Sequence, residues 1–157
     1  MEGESREQDC DPNCDQVEEQ IRRKAFALLT RREYSVAELT QKLNNLASRD
    51  TVDSLVQGLV ETGLLSDERF SEMICRSRVN QGKGPIRIRY ELEQHKISPD
   101  IIDDAMSIYE GRWAELAQLV RQKKFGSEPP GSYKERAKQM RFLQQRGFNA
   151  ALLEQWD

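Results

Sequence analysis

The sequence predicts an all-α fold in which three tandem three-helix modules form an elongated chain that is free to curve. From Asp15 onward, apolar residues recur at the spacing of an amphipathic helix, and no segment alternates apolar and polar residues as a half-buried strand does. Residues 92–105 align with residues 143–156 at a constant offset of 51, which places Leu92 on Leu143 and Ile97 on Phe148. Such an internal repeat is typical of a chain built from similar helical units.

Module 1 is predicted over residues 15–65. Its first helix has an apolar stripe that includes Ile21, and its second begins at Ser35 and Glu38, which have the spacing of a capping box. Gly63 follows the third helix, at the place where a left-handed C′ residue is favoured. That third helix has the clearest apolar stripe in the chain, formed by Val52, Leu55, Val56, Leu59 and Val60.

Module 2 is predicted over residues 66–110. Ser66 is placed to cap its first helix, which the Gly82-Lys-Gly84 segment ends. Pro85 fits the first turn of the second helix, because an N–H group at that position has no acceptor within the helix. Pro99 marks the start of the third helix. The core-facing residues of that helix are predicted to be Ile101, Ile102, Ala105 and Tyr109.

Module 3 is predicted over residues 111–157. Its first helix ends near Gly126, and Ser132 with Glu135 forms a second capping box. Gly147 ends the helix that follows. A ninth helix is predicted after Asn149, with Leu152, Leu153 and Trp156 as its apolar residues.

Composition limits the class of protein. The chain has 157 residues, and no window approaches the roughly 18 apolar residues that a membrane-spanning helix needs, so no membrane contact is expected. The polar, acidic N-terminus resembles neither a signal peptide nor a transit peptide, so we expect a cytoplasmic protein. Residues 1–14 are predicted to be a disordered acidic tail. Residues 1–20 carry 8 acids and 1 base, whereas the other 137 residues carry 19 acids and 23 bases.

The sequence does not favour an enzyme, because it offers no convergent set of catalytic groups. His95 is the single histidine and is expected to be structural, and the chain has no phosphate-binding loop and no G-x-S-x-G or H-E-x-x-H motif. Cys10 and Cys14 lack two further ligands at zinc spacing, and Cys75 is most simply a small, partly buried side chain. We therefore expect no catalytic residue, no cofactor and no metal site.

Basic residues are the stronger functional signal. No acid occurs from Met73 to Tyr90, and Arg121 adjoins a second cluster of lysines. Three further bases recur at i, i+4 and i+7 along one predicted helix. Such patterns favour an anionic partner, either nucleic acid phosphate or an acidic protein surface, although most charge clusters only solubilise a protein. The candidate partner-binding residues are Arg76, Arg78, Lys83, Arg87, Arg89, Lys123, Lys124, Lys134, Lys138 and Arg141.

Five blocks of sequence resemble the RecX family of bacterial regulatory proteins, in the same order. They are YSVAELTQKL (34–43), LVETGLLSDERF (59–70), FSEMICRSRVNQGKGPIRIRYELEQHKIS (70–98), KKFG (123–126) and RFLQQRGF (141–148), and the resemblance covers residues 17–157. It implies three three-helix repeats and a non-enzymatic role. RecX proteins bind the RecA–single-stranded-DNA filament and suppress its ATPase, strand-exchange and coprotease activities, so the implied partner is the RecA filament, with a weak contact to single-stranded DNA. We expect the chain to act as a monomer.

One alternative from another functional class is a helix-turn-helix-like module that binds DNA, because each predicted unit has a tight turn before its third helix. The third helix of module 2 argues against it. Asp100, Asp103 and Asp104 are acidic where a recognition helix should be basic. Few aromatic residues are available for stacking on bases, since they make up 7% of the chain.

Overall fold

The computed structural model describes residues 12–149 and residue 151, and these residues form eight α-helices and no strand. The predicted all-α fold class is confirmed. The chain divides into two compact units, Met1–Ser66 and Asp67–Asp157. The helices are α1 (Pro12–Arg31), α2 (Val36–Leu43), α3 (Arg49–Glu61), α4 (Asp67–Asn80), α5 (Pro85–Gln94), α6 (Pro99–Ser107), α7 (Trp113–Phe125) and α8 (Tyr133–Gln145). No described helix has the length and apolar character needed to cross a bilayer.

The first unit contains α1, α2 and α3, whose helix ends follow from local hydrogen bonds. The backbone N–H of Glu38 donates to Ser35 Oγ at 3.1 Å, as the first capping box predicts, while the Glu38 carboxylate accepts from Arg32. Ser48 caps α3 through Thr51 N–H, and Gly63 has the positive φ of 77° predicted for it. These ends aim the apolar stripes at one core, formed by Ile21, Ala25, Tyr34, Leu39, Leu43, Val52, Val56, Leu59 and Leu65.

The second unit begins with α4, α5 and α6, the three helices of module 2. Pro85 occupies the start of α5 and Pro99 the start of α6, as predicted. His95 lies at the end of α5 with its ring edge-on to Phe70, at a centroid distance of 4.9 Å, which fits the expected structural role. The core comprises Phe70, Ile74, Cys75, Ile88, Leu92, Ile97, Ile102, Ala105, Met106 and Tyr109.

Helices α7 and α8 complete the described part of the second unit. Ser132 Oγ accepts from Glu135 N–H at 3.2 Å, so the second predicted cap is confirmed. Ala117, Leu143 and Phe148 form a small core between the two helices. The predicted ninth helix falls on residues 150–157, of which all but Ala151 lie outside the described residues.

The internal repeat has a structural counterpart. Leu92 and Leu143 are both 0% exposed, and Ile97 and Phe148 are both buried. Lys96 and Gly147, which occupy matching positions in the repeat, both have positive φ angles, of 60° and 96°. Both turns therefore have a positive φ at this position, which costs more at Lys96 because it has a Cβ atom.

Two local predictions need correction. Helix α1 begins at Pro12, so residues 12–14 of the predicted disordered tail are helical, while residues 1–11 lie outside the described residues. The cause is that Pro12 suits the first turn of a helix and Asp15 stabilises its positive end. Val60 belongs to the apolar stripe predicted for α3 but is 44% exposed, whereas the neighbouring Leu59 is buried in the last turn of the helix.

Candidate partner-binding surface

The start of α5 and the turn after α8 form a joint between modules 2 and 3. Gly84 N–H donates to Arg146 O at 2.7 Å, and Ile86 N–H donates to Gly147 O at 3.0 Å. Arg87 Nη1 donates to Gln145 O at 2.9 Å. The first N–H groups of a helix and the last carbonyls of a helix both lack partners within their own helix. Each end therefore satisfies the other, and the positive end of the α5 dipole meets the negative end of α8.

Two glycines allow this joint to close. A Cβ atom at Gly84 would lie 2.4 Å from the carbonyl carbon of Gly147, and a Cβ atom at Gly147 would lie 2.6 Å from Cβ of Arg87. Real Cβ atoms do not approach other atoms so closely. At Gly84 the atoms in the way belong to the backbone of Gly147, which cannot move aside as the end of a flexible side chain can. The Gly82-Lys-Gly84 segment, predicted only as a helix break, therefore also brings two modules into backbone contact.

Beside the joint lies a cleft of about 450 Å³. Its lining is largely apolar and includes four cationic side chains, which come from the α4–α5 turn, the end of α7 and the turn after α8: Lys83, Lys123, Lys124 and Arg146. None of the described residues that line it is acidic. Leu119 on α7 lines this cleft and is 54% exposed. The full lining is Val79, Asn80, Gln81, Gly82, Lys83, Leu116, Leu119, Val120, Lys123, Lys124, Phe142, Arg146 and Phe148.

A second, shallower depression of about 380 Å³ adjoins the cleft and shares Lys124 and Phe142 with it. Lys138 and Arg141 on α8 line this depression. Phe125 contributes an edge-on ring contact with Phe142, at a centroid distance of 5.3 Å and an angle of 89°. The structure thus gathers five of the ten predicted residues along the cleft and the depression. We call this set, together with Arg146, the basic surface: Lys83, Lys123, Lys124, Lys138, Arg141 and Arg146.

Sequence reasoning missed Arg146 as a site residue. Its Nη1 donates to Gln81 O at 3.0 Å, and its guanidinium lies 5.2 Å from the centroid of the Phe142 ring. Lys124 Nζ lies 5.9 Å from the same centroid. The spacing of four residues between Phe142 and Arg146 was the available signal, because side chains at i and i+4 meet on a helix.

The remaining predicted residues lie apart from the basic surface. Arg78 is half-buried and binds both carboxylate oxygens of Glu91, at 2.7 and 2.5 Å. Arg89 pairs with Asp103 at 2.6 Å, and Arg87 belongs to the joint. Arg76 and Lys134 are exposed, but neither lines the cleft or the depression. These residues stay predictions as partner contacts.

The prediction that Arg121 belongs with a second basic cluster on the surface needs correction, because this residue is only 3% exposed. Its guanidinium donates to Gln118 Oε1 at 2.9 Å, to Glu128 O at 3.2 Å and to Gln139 Oε1 at 3.3 Å. A buried charge needs such hydrogen bonds to offset the loss of water. Arg121 therefore braces the loop between α7 and α8 instead of facing a partner.

Other chemically active groups do not assemble elsewhere in the described residues. Burial raises the pKa of the Cys75 thiol to about 11, so it stays protonated and is a poor nucleophile at neutral pH. Within residues 12–149 and residue 151, no three histidine, cysteine, aspartate or glutamate side chains meet in a way that would hold a metal ion. The basic surface is therefore the candidate site among the described residues.

Comparison with known proteins gives a consistent set of similarities. Residues 66–106 match a family model described as the second three-helix domain of RecX, and residues 110–156 match the model of the third. A protein named Regulatory protein RecX from Halorhodospira halophila is 40% identical over 133 residues, which is 84% of this chain and 83% of that protein. A protein of the same name from Pseudomonas putida is 43% identical over 129 residues, 82% of this chain and 83% of that protein.

Solved structures show the same fold. The crystal structure of RecX from Lactobacillus salivarius superposes with a TM-score of 0.76 at 20% identity, covering 89% of this chain and 94% of that one. A second crystal structure, of a regulatory protein RecX, gives a TM-score of 0.78 at 21% identity and covers 98% of this chain and 80% of that one. The arrangement in tandem three-helix modules is thereby confirmed, while the boundaries of the modules stay a prediction.

Proposed function

Because this chain belongs to the RecX family of regulatory proteins, we propose that it binds the filament formed by the RecA recombinase on single-stranded DNA and inhibits it. The inhibited activities are the ATPase, strand exchange and coprotease functions of RecA. The protein acts in the cytoplasm, as a monomer and without a cofactor or catalytic residue of its own. The observation that carries the proposal is the close similarity to regulatory proteins named RecX over more than four-fifths of the chain.

The basic surface supports an interaction with an anionic polymer. It places six cations along module 3 and the adjoining α4–α5 turn, and the described residues that line its cleft and depression include no acid. A nucleoprotein filament presents phosphates and acidic side chains in a regular array, so several modest contacts add up to one avid interaction. Lys123 and Lys124 lie at the C-terminal end of α7, where the helix dipole also favours them.

Recognition of duplex DNA by a helix in the major groove is less well supported. Asp100, Asp103 and Asp104 are all exposed on α6, the third helix of module 2. Their carboxylates would repel the phosphates that flank the groove. Binding to single-stranded DNA within the filament does not require α6 to enter a groove between phosphates.

The decisive measurement is the DNA-dependent ATPase of RecA with this protein titrated in. We expect inhibition near stoichiometric ratios, and full ATPase activity at an excess of the protein would refute the proposal. The double variant Lys123→Glu/Lys124→Glu should weaken inhibition by about tenfold or more, because it replaces two attractions with two repulsions.

The matched control is Lys24→Glu/Lys42→Glu, which makes the same change in net charge on exposed lysines of α1 and α2. We expect it to inhibit RecA as the unaltered chain does. Equal loss of inhibition in both double variants would mean that net charge, and not the basic surface, governs binding. Circular dichroism spectra confirm that each variant remains folded.

A further inference from the structure

The cleft beside the joint restricts what can occupy it. Its volume of about 450 Å³ lies within the range of roughly 300–1,000 Å³ that is usual for ligand pockets. The side chains of Val79, Leu116, Leu119, Val120 and Phe148, which we call the floor, line the cleft and offer no hydrogen-bonding group. The charged residues of the lining, which we call the rim, are all positive: Lys83, Lys123, Lys124 and Arg146. A suitable occupant therefore combines an apolar group with nearby negative charge.

A nucleobase meets this requirement poorly. Bases bind proteins by stacking on an open aromatic ring. The Lys124 ammonium and the Arg146 guanidinium already lie 5.9 Å and 5.2 Å from the centroid of the Phe142 ring, so a base stacked on this ring would compete with these cations. Phe148 is almost fully buried, and the rest of the floor is aliphatic. A floor of this kind fits an apolar side chain better than a flat heterocycle.

We propose that the cleft docks an acidic peptide segment of the recombinase, with a bulky apolar side chain on the floor and carboxylates at Lys83, Lys123 and Lys124. The inference rests on the proposed function and names the chemistry of the partner at one site. Lysine suits this task because its ammonium is a compact charge on a flexible stem, which can follow carboxylates whose positions vary. Arg146 stays bonded to Gln81 O and keeps the wall of the cleft in place.

The apolar contact and the charged contacts of the peptide contribute to binding in different ways. The apolar anchor of the peptide enters a concave site and displaces water from its apolar lining, and such contacts supply most of the binding energy in protein interfaces. The exposed rim charges accelerate association and select acidic partners, and they respond to salt. Removing the anchor should therefore slow or abolish peptide binding even when all the charges remain.

Fluorescence anisotropy on the full chain tests the proposal with three labelled probes. The first is a short peptide of aspartate and glutamate residues around a central phenylalanine and leucine. The second has serine at both apolar positions, and the third is a dT oligonucleotide of the same net charge. We expect the first peptide to bind at least about tenfold more tightly than the second.

Two variants with a matched control make the test specific to the cleft. Leu119→Asn should weaken binding of the first peptide about tenfold and leave oligonucleotide binding unchanged. Lys123→Glu should weaken binding of both peptides. The control is Leu64→Asn, which makes the same replacement at a leucine of similar exposure in the first unit, 47% against 54%. It should bind every probe as the unaltered chain does.

Three outcomes would overturn the inference. They are equal affinity for the two peptides, absence of binding by the first peptide, and loss of oligonucleotide affinity in Leu119→Asn, which would assign the cleft to nucleic acid. Inhibition of the RecA ATPase is measured in parallel on the same variants. If peptides fail to bind while the unaltered chain still inhibits RecA, only the cleft assignment falls, whereas loss of inhibition by the unaltered chain removes the proposed function itself.

Discussion

Arginine and lysine take different places in this molecule. Arg78, Arg87 and Arg89 each contact an acceptor within the chain, and Arg121 is buried. The guanidinium has a planar set of donors that fits carboxylate pairs and carbonyl oxygens, whereas an ammonium is more strongly hydrated and stays near water. Counting charges along the sequence treats the two alike, so it does not distinguish arginines that have an acceptor within the chain from lysines that face water. The predicted lysines that remain exposed are Lys123, Lys124, Lys134 and Lys138.

The Arg78–Glu91 pair predicts a pH-dependent contribution to stability. The hydrogen bonds from Arg78 hold the pKa of Glu91 below its ordinary value. A carboxyl group whose pKa is lowered by folding stabilises the protein above its unfolded-state pKa, and this stabilisation disappears as the pH falls through the folded-state pKa. We expect Glu91→Gln to reduce the free energy of unfolding by about 1 kcal/mol at neutral pH, since the pair is half-buried. Urea denaturation measures this change.

In acid, the difference in the free energy of unfolding between Glu91→Gln and the unaltered chain should become smaller, because Glu91 is then protonated in both the folded and the unfolded state. Glu93→Gln is the control, as Glu93 is exposed on the same helix. A deficit for Glu91→Gln that persists unchanged below the folded-state pKa would show that the charge of Glu91 is not what stabilises the fold. Both tryptophans of the chain lie in the second unit, so their fluorescence reports on the unit that contains the pair.

Helix boundaries were predictable because their causes are local, whereas the joint was not. Ser35, Ser132 and Pro85 each act within a few residues of their own position, so the sequence alone places them correctly. Gly84 contacts Gly147 across a separation in sequence that no periodic pattern encodes. The cleft depends on the same distant contact, so the sequence contained its lysines but not their convergence.

Gly84→Ala tests the joint directly. Gly84 has a φ of −90° and a ψ of 173°, which alanine also adopts, so backbone strain makes no contribution to the result. The added methyl group would collide with the Gly147 carbonyl group and separate α5 from the turn after α8. We expect a loss of about 2–4 kcal/mol in the free energy of unfolding of the second unit, from overpacking and lost hydrogen bonds. Urea denaturation followed by tryptophan fluorescence gives this value.

The matched control lies in the same unit. A Cβ atom at Gly131 would meet only the flexible Glu135 carboxylate, at 3.4 Å, so Gly131→Ala should change stability by no more than about 0.5 kcal/mol. Hydrogen exchange adds a second measurement, because the amides of Gly84 and Ile86 should lose protection if the joint opens without global unfolding. Unchanged stability together with unchanged exchange in Gly84→Ala would contradict the described contact.

At the scale of the whole molecule, net charge and local charge point in opposite directions. The chain carries a net charge of −3, and residues 1–20 account for 8 of its 27 acids. Residues 111–157, by contrast, carry 9 bases and 5 acids. A protein that met its partner through its average charge would be repelled by a nucleoprotein filament. A protein that met it through module 3 would be attracted at short range, within about one Debye length.

The salt dependence of inhibition distinguishes binding governed by the net charge of the chain from binding through module 3. Added salt screens whichever interaction dominates, so it would strengthen binding limited by overall repulsion and weaken binding carried by the basic surface. We expect the concentration of protein that half-inhibits the RecA ATPase to rise steadily with ionic strength, after each value is normalised to RecA alone in the same buffer. The Lys123→Glu/Lys124→Glu variant should show a shallower rise, because it has fewer favourable contacts left to screen. Inhibition that becomes stronger as salt is added would mean that the negative charge of the whole chain outweighs the basic surface, and the role assigned to module 3 would then be wrong.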